Sequence, residues 1–233
     1  AARRSGGMTG FFAATWLVAR KELLVELRTR EILVSAGLFG LLVTVITSFA
    51  FFLDDETARR IAPGVLWVAT AFAAVLAMGR AWAREREDDA IRGLLLAPIP
   101  RASIWAGKAL GTLVLVLAIE AGLVPVVGVF FHLPLLQTIL PISGILVAGT
   151  TGFVAMGTLF AAMTVRTRAR ELMLSVVLFP LASPALIAGV VATRDLLGNA
   201  PMEEIVAWLR VLGAFDAIAI GCGLVLFEPL MSD

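Results

Sequence analysis

Six apolar stretches of about 20 residues each, with few or no charged side chains, run through this sequence. A helix of that length crosses the roughly 30 Å hydrocarbon core of a bilayer. The sequence is 60% hydrophobic and 16% charged, whereas soluble domains carry about 25% charged residues. We therefore expect an all-α integral membrane protein. The predicted spans cover residues 32–53, 61–79, 109–131, 136–163, 172–193 and 211–230.

The boundary between the third and fourth predicted spans depends on an aromatic and proline-containing break. Residues 109–163 are too long for one span, and Phe130-Phe131-His132-Leu133-Pro134 combines interfacial aromatic residues with a helix breaker. Pro180 and Pro184 lie inside the fifth predicted span, where membrane helices tolerate proline as a kink.

The distribution of Lys and Arg predicts the orientation. With a cytoplasmic N-terminus, 15 of the 19 Lys and Arg lie on the cytoplasmic side and 4 lie on the outer side. The positive-inside rule favours this arrangement, with both termini in the cytoplasm. The 19 basic and 18 acidic residues nearly cancel, so no strong basic field indicates nucleic-acid binding.

Two further segments are predicted to be helical without spanning the membrane. Residues 8–31 have an apolar face and a charged remainder, which is typical of a helix on the cytoplasmic membrane surface. The apolar face contains Trp16, Leu23, Leu24 and Leu27. Pro201, in a first helical turn after Asn199, predicts a short outer interfacial helix at about 200–209. Residues 1–7, before Met8, are interpreted as the remnant of an expression tag.

Several catalytic and metal-binding classes lack their minimum motifs. No phosphate-binding G-x-x-x-x-G-K-[ST] motif occurs, because Gly107-Lys108 is followed by Ala109 and lacks the upstream glycine. Cys222 is the only cysteine, which excludes an intrachain disulfide, and C-x-x-C-H, H-E-x-x-H and G-x-S-x-G motifs are absent. We expect a non-catalytic chain that binds no ATP itself.

The predicted cytoplasmic segment 80–108 has the pattern of a docking element. Dense mixed charge is followed by an apolar triplet and two prolines, so a helix here would present a charged face and an apolar tip to a partner's groove. The alternative is an ordinary solvated loop. The candidate residues for docking, and hence for coupling to a partner, are Glu85, Arg86, Glu87, Asp88, Asp89, Arg92, Leu94, Leu95, Leu96 and Pro98.

Two parts of the sequence resemble a known family. Gly93-Leu94-Leu95-Leu96, Pro98 and Gly107-Lys108 resemble the coupling-helix region of six-helix ABC-2 type exporter permeases. The run Arg60-Ile61-Ala62-Pro63-Gly64-Val65-Leu66-Trp67-Val68-Ala69 resembles the heme exporter protein B family, CcmB, of cytochrome c maturation. The resemblance covers essentially the whole chain after residue 7.

The resemblance implies a permease subunit in the inner membrane of a bacterium. Such a subunit pairs with the ATPase CcmA through residues 85–98 and uses ATP only through that partner. It works with CcmC and a small CcmD-like subunit, and it frees the heme-loaded chaperone CcmE. Two copies per complex and an N-terminal elbow helix are also implied. Heme is then a possible substrate rather than a bound cofactor. A mechanical adaptor that transports no heme and an ATPase-independent, ion-coupled secondary transporter are the alternatives.

Three titratable residues are candidates for function within or beside the spans. Glu120 lies mid-span, where an ionised carboxylate is costly, and it is either functional or a neutral acid hydrogen-bonded between helices. Asp216 lies near the outer interface, where a capping or snorkelling role is the alternative. His132, the only histidine, is a candidate heme ligand or a hydrated interfacial residue.

Small residues in the fourth predicted span indicate close helix packing. Such residues let helix backbones approach, either inside one subunit or across a homodimer. They are Gly144, Ala148, Gly149, Gly152 and Gly157.

Overall fold

The fold consists of helices throughout the part of the chain that the structure describes. This computed structural model describes residues 7–50, 55–87, 97–164 and 170–230, which form seven helices and contain no strand. These are α1 (Gly7–Thr29), α2 (Glu31–Ala50), α3 (Asp55–Glu87), α4 (Arg101–Phe130), α5 (Leu135–Thr164), α6 (Arg170–Leu197) and α7 (Met202–Leu230). Helices α2 to α7 are long and apolar enough to cross a membrane, which confirms the predicted all-α membrane fold.

Several helices extend beyond the predicted spans. Helix α3 continues to Glu87 and α4 begins at Arg101, because charged residues end an apolar stretch without ending a helix. The separate helix expected at about 200–209 is not observed as such. Residues from Met202 onward form the first turns of α7, since neither proline nor glycine interrupts the chain before Gly213.

Trp67 of α3 fixes the packing of three spans. Its indole is buried between Gly149 of α5 and Gly189 of α6, and its Nε1 donates a hydrogen bond to Thr193 Oγ1 at 2.9 Å. A Cβ on either glycine would overlap the ring. The small residues of α5 therefore allow close approach within one chain.

Further along α5, other glycines also allow large side chains of neighbouring helices to approach closely. Gly157 lies against Met78 of α3, and Gly152 lies against Phe215 and Asp216 of α7. Gly144 differs, because the space where its side chain would project is open.

Helix α1 packs along the N-terminal part of α4. Gly107 meets Thr15 and Val18, and Gly111 meets Glu22, so two glycines four residues apart form the seat for α1. The face of α1 that turns inward is buried and carries Ala14, Val18, Ala19, Glu22 and Glu26. The outward face exposes Phe12, Trp16, Leu17, Leu24 and Leu27. Its acidic residues thus face protein and its large apolar residues face outward.

We expect Gly149→Ala and Gly144→Ala to change stability in opposite directions. The first substitution forces Cβ into the Trp67 indole and should cost about 1–3 kcal/mol of unfolding free energy. The second enters open space, where Ala stabilises a helix by about 0.5–1 kcal/mol relative to Gly. Unfolding of each variant in detergent, followed by circular dichroism, checks this. Equal effects of the two substitutions would contradict the described packing.

Candidate functional site: a buried charge junction beside the coupling segment

A buried ion pair joins α1 to α4. Lys108 Nζ lies 3.0 Å from Glu22 Oε1, and only 2% of the Lys108 side chain and 9% of the Glu22 side chain are exposed. The ammonium also lies 4.8 Å from the ring centroid of Trp82 on α3, within cation–π distance. Lys21 Nζ also lies 3.4 Å from Glu22 Oε1, but its side chain is 41% exposed, so Lys108 is the buried counter-charge of Glu22. Since an unpaired buried charge is strongly unfavourable, loss of Lys108 would destabilise Glu22.

A second buried carboxylate connects three helices. Glu26 of α1 is fully buried, and its Oε2 lies 3.1 Å from a guanidinium nitrogen of Arg84 on α3. Its Oε1 accepts a hydrogen bond of 2.8 Å from the backbone N–H of Leu33 in the first turn of α2. This N–H is one of the groups that a helix start leaves without an intrahelical partner. Glu26 therefore satisfies the start of α2 and anchors the end of α3.

A partly exposed ion pair closes the cluster. Glu31, the first residue of α2, lies 2.5 Å from Arg80 and 3.7 Å from Arg84. The chain reaches this position through Arg30, whose φ of 54° places it in the left-handed region between α1 and α2. We call the cluster the charge junction, and it consists of Glu22, Glu26, Glu31, Arg80, Arg84 and Lys108.

The candidate coupling residues begin directly beside the charge junction. Glu85, Arg86 and Glu87 form the end of α3 immediately after Arg84, and Pro98 is exposed in the bend before α4. The rest of the coupling prediction lies outside the described residues, namely Asp88, Asp89, Arg92, Leu94, Leu95 and Leu96. The chain therefore leaves the junction through α3 and returns to it through α4. Their coupling role stays a prediction.

Glu120 pairs with a hydroxyl between two spans. It is 2% exposed, and its Oε1 accepts a hydrogen bond from Thr150 Oγ1 of α5 at 2.5 Å. Its Oε2 is buried and has no hydrogen-bond partner among the described residues. This arrangement agrees with a hydrogen-bonded acid between helices, and it leaves one oxygen that a proton or a ligand donor could bind.

Asp216 occupies a different face of α5. Its carboxylate lies against Gly152, and within the described ranges its Oδ1 is buried without a hydrogen-bond partner. Thr150 and Gly152 are two residues apart, which corresponds to about 200° around a helix. Glu120 and Asp216 therefore contact different faces of α5, and the structure does not combine them into one site.

His132 lies in the turn between α4 and α5. It is exposed and has a φ of 51°, in the left-handed region that histidine tolerates better than most residues. In the part of the chain that the structure describes, no group of three His, Cys, Asp or Glu side chains could hold a metal ion. Heme ligation by His132 stays a prediction.

Sequence reasoning did not identify the charge junction. The sequence places Glu22 and Glu26 in the charged part of the predicted surface helix. It singles out Gly107-Lys108 only for the family resemblance and for the absence of a phosphate-binding motif. Two signals were present in the sequence. Glu22 and Glu26 are four residues apart and share a helical face, and Lys108 lies between Gly107 and Gly111, whose spacing favours close packing of another helix.

A sequence model of the CcmB protein family matches residues 13–226 of this chain. The chain belongs to the CcmB family. Heme exporter protein B of Paracoccus denitrificans (strain Pd 1222) is 35% identical over 185 residues, covering 78% of this chain and 83% of the relative. The same-named protein of Rhodobacter capsulatus is 33% identical over 67% of this chain and 71% of the relative. That of Pseudomonas aeruginosa is 28% identical over 89% of this chain and 94% of the relative.

Membership of the CcmB family agrees with the architecture. Six helices suited to membrane spans and a family of transporter components make this chain a multi-pass membrane permease. The sequence run 60–69, on which the family resemblance rests, contains Trp67. The Trp67 indole packs α3 against α5 and α6.

We expect Lys108→Met to destabilise the chain strongly. The substitution leaves Glu22 buried without its main counter-charge, which typically costs about 3–5 kcal/mol. Adding Glu22→Leu should recover a large part of the loss, because an apolar pair replaces the ion pair. A double-mutant cycle in the free energy of unfolding in detergent checks this. Arg60→Gln, which breaks the exposed Glu56–Arg60 pair, is the control and should change little. Additive losses at Glu22 and Lys108 would exclude their coupling.

Proposed function

We propose that this chain is the membrane permease subunit of an ABC transporter complex in cytochrome c biogenesis. It couples ATP hydrolysis by a separate ATPase subunit, CcmA, to heme export and to release of the heme-loaded chaperone CcmE. The observation that carries this proposal is the charge junction, which connects four helices at the point where the candidate coupling segment leaves and re-enters the helix bundle. The relatives' name, heme exporter protein B, supports heme as the transported substrate.

The charge junction gives the coupling a physical route. A force on residues 85–98 acts first on the end of α3 and the start of α4. Arg84 of α3 pairs with Glu26, and Lys108 of α4 pairs with Glu22, so both forces reach α1 through buried carboxylates. Buried ion pairs resist separation because each charge would be left uncompensated. Helix α1 then moves with α3 and α4, and Glu26 carries the motion to the start of α2.

The proposed orientation places the charge junction on the cytoplasmic side of a bacterial inner membrane, with both termini in the cytoplasm. The basic residues on the opposite side are Arg59, Arg60, Arg194 and Arg210. In this orientation the outward apolar face of α1, with Trp16 and Leu24, contacts the cytoplasmic membrane surface as an elbow helix would.

The complete complex is proposed to contain two copies of this chain, CcmA, CcmC and a small CcmD-like subunit. Spans α2 and α7 support the presence of partners or lipid around the bundle. Only 22% of the most apolar stretch of α2, and 17% of that of α7, is buried within the chain. Two permease copies match the two ATPase subunits that an ABC transporter closes on ATP.

Glu120 is the proposed intramembrane element of the transport step. A change in the distance between α4 and α5 would break its hydrogen bond to Thr150 and leave a buried carboxyl without any donor. The pair can therefore report on, or bias, the separation of these two helices. Asp216, on the opposite face of α5, is the second candidate at the contact with α7.

Site-specific photo-crosslinking tests the coupling role. A photoreactive residue at position 87 or 95 should capture the ATPase subunit in native membranes. One at position 60, at the far end of α3, is the matched control and should not capture it, because it lies at the other end of a membrane-spanning helix. Failure of positions 87 and 95 to capture an ATPase would contradict the proposed coupling to an ATPase subunit.

ATP hydrolysis by the co-purified permease–ATPase assembly tests the role of Glu120. We expect heme to stimulate hydrolysis in lipid nanodiscs, and both Glu120→Gln and Thr150→Val to reduce that stimulation by about tenfold, the effect of losing one hydrogen bond to a charged or buried group. Thr151→Val is the control, because its hydroxyl donates to Val147 O within α5 and, among the described residues, to no other helix.

The mechanical adaptor is the second candidate, because the charge junction transmits force without requiring a transport path. It predicts a different result in the same experiment. Hydrolysis would then be insensitive to heme and to Glu120→Gln, and would respond only when CcmC and loaded CcmE are added.

A further inference from the structure

An arginine-lined cleft lies at the end of the bundle opposite the charge junction. It forms where α3 begins and where α6 turns into α7, and its volume is about 830 Å³. Arg59, Arg60 and Arg194 line it together with Leu197 and Ala200. A cleft of this size lies within the range of about 300–1,000 Å³ that is typical of small-ligand sites.

Two carboxylates in the cleft form ion pairs with two of the three arginines. Glu56 lies 2.5 Å from Arg60, one helical turn away. Asp195 Oδ1 accepts hydrogen bonds from two guanidinium nitrogens of Arg194, Nε at 3.2 Å and Nη2 at 3.0 Å. Trp208 Nε1 donates to Asp195 Oδ2 at 3.2 Å. A guanidinium has five N–H donors, so each arginine retains donors for a further acceptor. Arg59 belongs to neither ion pair.

The placement of these arginines departs from the general charge distribution. Only 4 of the 19 basic residues are expected on the outer side, and three of these four line this one cleft. The positive-inside bias disfavours basic residues on that side. Their convergence therefore indicates a site rather than a scattered surface charge. Arg210, the fourth, does not line the cleft.

The chemistry of the cleft selects the ligand class. The planar guanidinium matches carboxylate and phosphate groups, which it binds through paired hydrogen bonds. Leu197 and Ala200 add an apolar wall. We propose that this cleft binds the anionic head group of a membrane amphiphile, with Arg59 and Arg194 contacting its carboxylate or phosphate oxygens. The outer location of the site rests on the proposed orientation.

Binding to the purified full chain in neutral detergent tests the proposal without requiring an ATPase. The carboxylate probe is heme, titrated by absorbance, with heme dimethyl ester as its neutral counterpart. The phosphate probe is phosphatidylglycerol, measured by native mass spectrometry against phosphatidylcholine. The variant is Arg59→Gln/Arg194→Gln, and the control is Arg210→Gln, which removes an outer charge away from the cleft. Thermal unfolding of each protein establishes that it is folded.

We expect the double variant to lose at least about tenfold in affinity for one anionic probe. The probe whose binding is lost identifies the source of the head group. Binding of the corresponding neutral probe should be unaffected. Arg210→Gln should bind like the wild type. The proposal would be overturned if the double variant bound both anionic probes as tightly as the wild type. It would also be overturned if Arg210→Gln lost as much affinity as the double variant, or if the wild type bound neither anionic probe. Because no ATPase is present, a failed coupling function leaves these outcomes unchanged.

Discussion

The buried ion pair between Lys108 and Glu22 is the interaction on which the arrangement of the α1 end of the bundle depends. A lysine in the first part of a membrane span needs a counter-charge, and α1 supplies one only if it lies directly on Gly107 and Gly111 of α4. The position of α1 is thus determined by electrostatics as much as by apolar packing. Once α1 is fixed, Glu26 can reach both Arg84 and the start of α2.

The interior of the bundle follows a different principle from the end that carries α1. Around α5 the contacts are made by large side chains against glycines, with Trp67, Met78 and Phe215 each lying on a different glycine. The intramembrane acids Glu120 and Asp216 both contact this helix, on different faces. Helix α5 is therefore the element whose displacement would disturb both carboxyls, whereas displacement of the end that carries α1 would act through the charge junction.

Hydrophobicity and proline placement were sufficient to predict the membrane spans. The turn after Phe131 and the continuous helix through Pro180 and Pro184 match the sequence-based expectations, because both depend on local chemistry. The start of α7 was predicted incorrectly as a separate helix. An amphipathic segment joined directly to a span, without a glycine or proline between them, continues as one helix.

The charge junction and the arginine-lined cleft could not be predicted in the same way, because each combines residues from distant parts of the chain. Glu22 and Lys108 are 86 positions apart, and the solvated character normally assigned to such charges conceals the pairing. The same holds for Arg59 and Arg194. Glu120 can be singled out from the sequence, since one carboxyl in an apolar span is a local signal, but its partner Thr150 cannot.

We propose that the charge junction makes α1 and the start of α4 move as one body when the proposed ATPase subunit closes. Spin-label distances in the complete complex, measured without nucleotide and with ATP trapped, test it most directly. In a Cys222→Ala background, labels at the exposed positions Leu17 of α1 and Leu110 of α4 should keep their distance, while labels at Leu17 and Val176 of α6 should change theirs. A nucleotide-dependent change in the distance between Leu17 and Leu110 would contradict the claim.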